Sequence, residues 1–162
     1  MLIANLGRTR RKLLASLDGL SDEHLNKSPS NGRWSIGQIV CHVCNTEKGI
    51  VETVLDALPS TSGKVEERDV SLLIERYESN EAKTAPQAGF LTKAELIRLL
   101  EESRFKYLQS VFNKTHESSL AEKSMDHLLF GKISLKNLID FIWLHEQYHI
   151  DHIEETKKSL PK

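Results

Sequence analysis

His145-Glu146-Gln147-Tyr148-His149 is the segment with the clearest chemical content. Two histidines four residues apart on a helix lie on one face, one turn apart, with both rings leaning the same way. That spacing lets two imidazoles reach one metal ion, and imidazole nitrogen suits Zn, Ni, Cu and Fe(II). The run before them, from Leu138 and Ile139 through Phe141, Ile142, Trp143 and Leu144, is apolar nearly all round, so the helix is buried on most sides. Buried histidines need partners. A pair of hydrogen-bonded core histidines is the default reading of this segment alone, and a metal site needs support from elsewhere in the chain.

A third histidine comes from an earlier helix. Trp34-Ser35-Ile36-Gly37-Gln38-Ile39 predicts a helix start in which Ser35 caps, Gln38 completes a capping box and Trp34 staples onto Ile39. Pro59 ends that helix near Leu58. Ile36, Ile39, Val43, Ile50 and Val54 form its apolar stripe. At about 100° per residue, His42 lies at the stripe's edge with Gln38, Thr46, Gly49 and Thr53. Such small and polar neighbours predict a pocket wall rather than a tight core seam. Cys41 and Cys44 point roughly 100–160° away from His42 on a helix, so the three cannot share one ion. They read as two small buried residues.

The remaining elements must position these groups. Leu2, Leu6, Leu13 and Leu17 predict a helix over about 2–18, with Arg8, Arg10, Arg11 and Lys12 on its solvated face. Ser21-Asp22-Glu23-His24 predicts a capped turn, and 27–32 breaks the chain. Residues 59–91 are the least regular, with a short helix over 69–77 and loops marked by Pro59, Gly63, Pro86 and Gly89. A second capping signature at 91–96 opens a long helix over about 93–113, and Ser134 opens the last, which ends near Lys158. No alternating strand pattern is present. Four long amphipathic helices predict an all-α four-helix bundle, one domain over 1–162. A net charge of -1, from 22 basic and 23 acidic residues, argues against a nucleic-acid surface. No apolar run reaches a membrane span and the first residues lack a signal-peptide core, so the chain reads as cytoplasmic.

Four stretches in register resemble the DinB-like (YfiT-type) superfamily of small helical bundles. They are Leu17-Asp18-Gly19-Leu20-Ser21-Asp22-Glu23, Trp34 through His42, His127 through Phe130-Gly131-Lys132-Ile133-Ser134, and His145 through Ile150. The resemblance implies a four-helix bundle with a divalent metal, Zn or Ni, held by His42, His145 and His149. Three positions depart from the family's pattern. Leu128 follows His127 where Pro is common, Tyr148 stands where Arg often precedes the second histidine, and His152 replaces a Gln. His152 lies within roughly 60° of His145 and His149 on the helix wheel, placing it beside the site as a ligand, a supporting group or a solvent-edge residue. His24 and His116 read as surface residues.

Three neutral imidazoles would leave an ion its full charge and an open position for water or substrate, the arrangement of a catalytic site. The resemblance then implies transfer of a low-molecular-weight thiol, such as bacillithiol, to a small electrophile, with metal-dependent hydrolysis as the alternative. A stress-related binding module without turnover is a third reading. The sequence offers no catalytic Ser or Cys nucleophile and no general base; Glu47, Glu146, Asp140 and Asp151 are candidates for orienting the histidines. Trp143, opposite His145 on the last helix, needs cover from another helix or another subunit, which predicts a homodimer.

Overall fold

A computed structural model describes residues 1–81, 86 and 89–161. Five helices position the site: α1 (Leu2–Ser16), α2 (Ile36–Ala57), α3 (Ile74–Glu81), α4 (93–114) and α5 (Leu135–Lys158). The capping residues set their starts. The hydroxyl of Ser35 accepts from the Gln38 N–H (3.1 Å), and the Gln38 side chain accepts from the Ser35 N–H (2.8 Å). Thr92 and Ser134 accept from the N–H groups of Glu95 (3.1 Å) and Asn137 (3.0 Å). Each bond satisfies a donor that a helix start leaves free. α1, α2, α4 and α5 form a four-helix bundle, in which α1 packs on α5 and α2 packs on both α5 and α4.

Three local features differ from the expected pattern. The short helix begins as a 3-10 turn, Val70–Leu73, and continues as α3 to Glu81; residues 82–85 and 87–88 of the predicted loop region lie outside the described residues. The middle of α4, Glu102–Leu108, is π-helical, one residue wider per turn than its flanks. Most visibly, Ser124–His127 (β1) pairs antiparallel with Gly131–Ser134 (β2), where no strand was expected. Strands of four residues are too short to display a two-residue period. The positive φ of Gly131 (75°) lets the chain reverse between them.

Within the bundle the apolar core is split in two. Leu2, Leu6, Ile50, Val54, Ile139 and Ile142 belong to one cluster, whereas Leu13, Leu17, Ile39, Val43, Leu100 and Ile150 belong to the other. Between them runs a polar layer, one residue from each long helix. Arg10 of α1 donates through Nε and Nη2 to the two carboxylate oxygens of Glu146 on α5 (3.2 and 3.0 Å) and through Nη2 to Glu47 on α2 (3.2 Å). Arg104 of α4 donates to Glu47 (3.0 Å) and Glu146 (3.2 Å). Arg10 Nη1 and Arg104 Nη1 donate to backbone carbonyls of the facing helices, Leu100 (2.6 Å) and Leu6 (2.8 Å), while Arg104 Nε and Glu47 Oε2 are buried without a hydrogen-bond partner among the described residues.

This corrects the solvated reading of the arginine cluster. Arg8, Arg11 and Lys12 are exposed, but Arg10 is buried because it shares the stripe of Leu6 and Leu13. Trp143 finds its cover within the chain: its indole N–H donates to Asp140 (2.8 Å) and the Arg8 guanidinium lies 5.9 Å from the ring centre. Removing one partner of a buried ion pair strands the others without water. Arg10→Met is therefore expected to lower the unfolding free energy by about 3–5 kcal/mol, read from urea denaturation, whereas Arg11→Met changes it by less than about 0.5 kcal/mol.

Candidate metal centre

Roughly 60–100° around α5 from Glu146, three histidines and one carboxylate meet. His42 comes from α2, Glu78 from α3, and His145 and His149 from α5; their potential ligand atoms all lie within 4.8 Å of one another. Glu78 Oε1 is the common point. It lies 3.0 Å from Nε2 of His42 and 2.6 Å from Nε2 of His149, and also hydrogen-bonds Nε2 of His145. The sequence-predicted histidines are thus brought together, with rings 4.5–5.0 Å apart and exposures of 7% for His42, 1% for His145 and 2% for His149.

Local packing fixes each ring. His145 stacks on Phe141 at 5.5 Å and meets Tyr77 edge-on at 5.4 Å. Trp34 meets His42 edge-on at 5.2 Å, and the Tyr77 hydroxyl shares a hydrogen bond with Thr46 (3.0 Å), one turn along α2 from His42. Beside His149, its Nδ1 lies 3.3 Å from Nδ1 of His152. His152 is therefore behind the His149 ring, outside the ligand cluster, and Tyr148 packs against both rings.

Charge and burial set the protonation pattern. Burial pushes the Glu78 carboxyl up, yet hydrogen bonds from His145, His149 and His42 outweigh it and hold the group well below the usual carboxylate range. Burial pushes His145 down to about 4 and His149 down as well. At neutral pH, His145 and His149 therefore face the carboxylate uncharged. Three imidazole nitrogens and one carboxylate oxygen, converging at a largely buried point, are a donor set that suits Zn, Ni, Fe(II) or Cu. The residues present fit a divalent ion.

Glu78 had no assigned role in the sequence reading. Its signal was an acidic residue one turn beyond Ile74 on a stripe with Val70, Leu73 and Tyr77. None of the four acids expected to orient the histidines does so. Glu47 and Glu146 belong to the arginine layer, Asp140 bonds Trp143 and Lys136 (2.8 Å each), and Asp151 bonds Gln147 (3.3 Å). Cys41 and Cys44 are buried thiols, Cys44 pushed up to about 12 by burial, and neither belongs to the cluster. His127 caps the hairpin turn, accepting from the N–H groups of Leu129 and Phe130 (3.1 Å each). His116 is exposed, and half-buried His24 closes the Ser21 capping box.

A cavity of about 300 Å³ opens onto Glu78 and His149, walled by Trp34, Ile39 and Tyr148, with Arg33 and Glu155 at exposed positions of its lining. Among the described residues, no helix is long and apolar enough to cross a membrane.

Comparison with known proteins identifies the family and the fold. The family model of the DinB superfamily matches residues 5–153. The chain is similar to YuaE of Bacillus subtilis, an uncharacterized protein, at 27% identity over 152 residues, covering 90% of this chain and 91% of that one. It is also similar to a protein of Oceanobacillus iheyensis named "Putative metal-dependent hydrolase OB0413", at 22% identity over 88% of this chain and 76% of that one. Two solved structures share the fold. TT2238, a four-helix bundle protein, matches with a TM-score of 0.60 and 19% identity over 95% of this chain and 96% of its own. YfiT from Bacillus subtilis, described as a probable metal-dependent hydrolase with an unusual four-helix bundle topology, matches with a TM-score of 0.63 and 20% identity over 97% and 84%.

The protonation pattern predicts how the metal-free protein responds to acid. His145 titrates near 6.5 when unfolded and near 4 when folded, so between those values the unfolded chain binds the proton first and stability falls as pH falls. In chelator, Tm measured by circular dichroism should drop progressively from pH 6.5 to pH 4, and His145→Gln should flatten that slope. Equal slopes in the two proteins would contradict the assignment.

Proposed function

The chain belongs to the DinB superfamily, and on that premise we propose that it is a divalent-metal-dependent enzyme transferring a low-molecular-weight thiol to small electrophiles. One observation carries this reading: three imidazole nitrogens and a carboxylate oxygen gathered within 4.8 Å beside a cavity of small-molecule size. His42, His145 and His149 would hold the ion through Nε2. When bound, a divalent ion supplies Lewis acidity, which lowers the pKa of a coordinated thiol or water toward neutrality.

The chain's own groups supply the rest. Glu78, an ionised carboxylate whose Oε1 faces the Nε2 atoms of all three histidines, is the proton acceptor that the chain itself places at the site. Glu78 Oε1 then accepts the thiol proton, while the sulfur bonds to the electrophilic carbon and the leaving group departs with its electron pair. His149, carrying its proton on Nδ1, donates to Nδ1 of His152, which fixes the ring's tautomer and tilt. Burial, then the charges of Glu78 and Glu75, push the Tyr148 phenol up, so it stays protonated as a donor on the cavity wall. Trp34 and Ile39 offer apolar cover for the electrophile.

Hydrolysis is the second reading. Glu78 would serve equally as base for a water nucleophile, and two of the similar proteins carry metal-dependent hydrolase in their descriptions.

Tag-free protein is expected to carry about one divalent ion per chain by elemental analysis, and the His42→Ala/His149→Ala double variant none; full occupancy in that variant would remove the ligand assignment. His152→Ala should weaken metal binding about 10–100-fold. Metal-loaded protein should conjugate thiols to haloaromatics or epoxides, and His145→Ala should not. Ester or amide hydrolysis without any thiol conjugation would give the site to the second reading. Absence of both would leave a binding module.

A further inference from the structure

We propose that the outer half of the cavity at the histidine cluster is a recognition subsite for an amino-acid-type zwitterion, in which Arg33 takes the ligand's carboxylate and Glu155 its ammonium group. This deepens the thiol-transfer reading and rests on it at one point, that the reacting end of the ligand faces Glu78 and His149. The thiol is then a cysteine-derived one whose carboxylate and amino group are both free. The inner end of the cavity is occupied by the histidine cluster. Its outer end carries Arg33 and Glu155, both exposed and of opposite charge, and neither enters an ion pair among the described residues.

Opposite charges on one rim select differently from a single charge. A lone Arg33 would favour any anion, and a lone Glu155 any cation. Together, and unpaired with each other, they are met in full only by a ligand that carries both signs at once. The interior charges of this chain behave otherwise, since Arg10, Arg104, Glu47 and Glu146 pair with one another inside the bundle.

Backbone geometry holds the two charges at the rim. The carbonyl of Arg33 accepts from the Ser28 hydroxyl, and its N–H donates to the Ser30 carbonyl (3.1 Å), so the residue leaves a closed turn directly before Trp34. Glu155 and Thr156 lie six and seven residues beyond His149 on α5, about 9 and 10 Å along the axis. Helical side chains lean toward the N-terminus, which tips the Glu155 carboxylate back toward His149 and leaves a gap of small-molecule length. Thr156 falls within about 20° of His149 on the helix wheel. It is 3% exposed and lines the cavity, and its hydroxyl makes no hydrogen bond among the described residues. A buried hydroxyl without a partner is costly, and a polar ligand in the cavity supplies the partner.

Isothermal titration calorimetry of the metal-loaded full chain with S-methyl-L-cysteine, whose sulfur is capped, tests this. Wild type should bind it at millimolar concentration, and Arg33→Gln and Glu155→Gln should each weaken binding at least about threefold. Altered ligands assign each charge to its partner. The ethyl ester, which lacks the carboxylate, should bind more weakly and be insensitive to Arg33→Gln; the N-acetyl derivative, which lacks the ammonium, should bind more weakly and be insensitive to Glu155→Gln. A damaged fold, or an amino acid held by the ion alone, would not produce that crossed pattern. Absence of binding to wild type overturns the proposal, as does an affinity unchanged in both variants. Conjugation rates with L-cysteine and 2-mercaptoethanol test the transfer reading separately. The crossed pattern without conjugation of any thiol supports the subsite and removes the transfer reading. Conjugation of both thiols with equal kcat/KM, in wild type and both variants alike, overturns the subsite and keeps the transfer reading.

Discussion

The four charges of Arg10, Arg104, Glu47 and Glu146 are the constraint on which the rest of this bundle depends. Each is withdrawn from water at a cost of several kcal/mol, and each recovers that cost only if all four helices stand at one height and rotation. A bundle held by apolar side chains alone can slide or turn by small steps at little expense. Here Glu146 accepts from two arginines on two different helices, so turning α5 would break both sets of bonds at once. The layer therefore converts a permissive apolar contact into a single register.

That register serves the histidines directly. Glu146 follows His145 in the chain and precedes His149 by three residues, so fixing the one fixes the facing of the others. α5 thus has two polar stations at the same level, one toward α1 and α4 and one toward α2 and α3. The apolar clusters above and below help to bury the charged layer and the three histidine rings. Low dielectric then keeps His145 and His149 uncharged at neutral pH, which is the state in which an imidazole nitrogen is a ligand.

The long helices were legible in the sequence because their starts are built from local chemistry. Ser35 with Gln38, Thr92 with Glu95 and Ser134 with Asn137 need only four residues to declare themselves. Helical angle likewise gave the common facing of His145 and His149 and the pocket-edge position of His42, while their grouping as one ligand set came from the family resemblance. What was not legible depends on distant partners. Arg10 looks like its neighbours Arg8 and Arg11 until the acids on α2 and α5 are seen. Glu78 sits on a short helix whose place over the site is set by Val70, Leu73 and Ile74 entering the core. The hairpin is too short for its period to register, and nothing in the residue pattern of Glu102–Leu108 announces the π-helical turn of α4.

Access to the site follows from the same local rules that start α2. The capping box fixes the backbone of Ser35, and with it the direction in which Trp34 leaves the helix. Trp34 lies edge-on to His42 and lines the cavity, so a bond that satisfies a helix terminus also sets one wall of the pocket. The opposite wall, Tyr148, belongs to α5 and is oriented by the arginine layer through its neighbour Glu146. The opening between them is therefore set by the capped entry to α2 on one side and by α5 on the other. Trp34 and Ile39 line the inner part of the cavity beside Glu78 and His149, while charged Arg33 and Glu155 stand at its exposed edge.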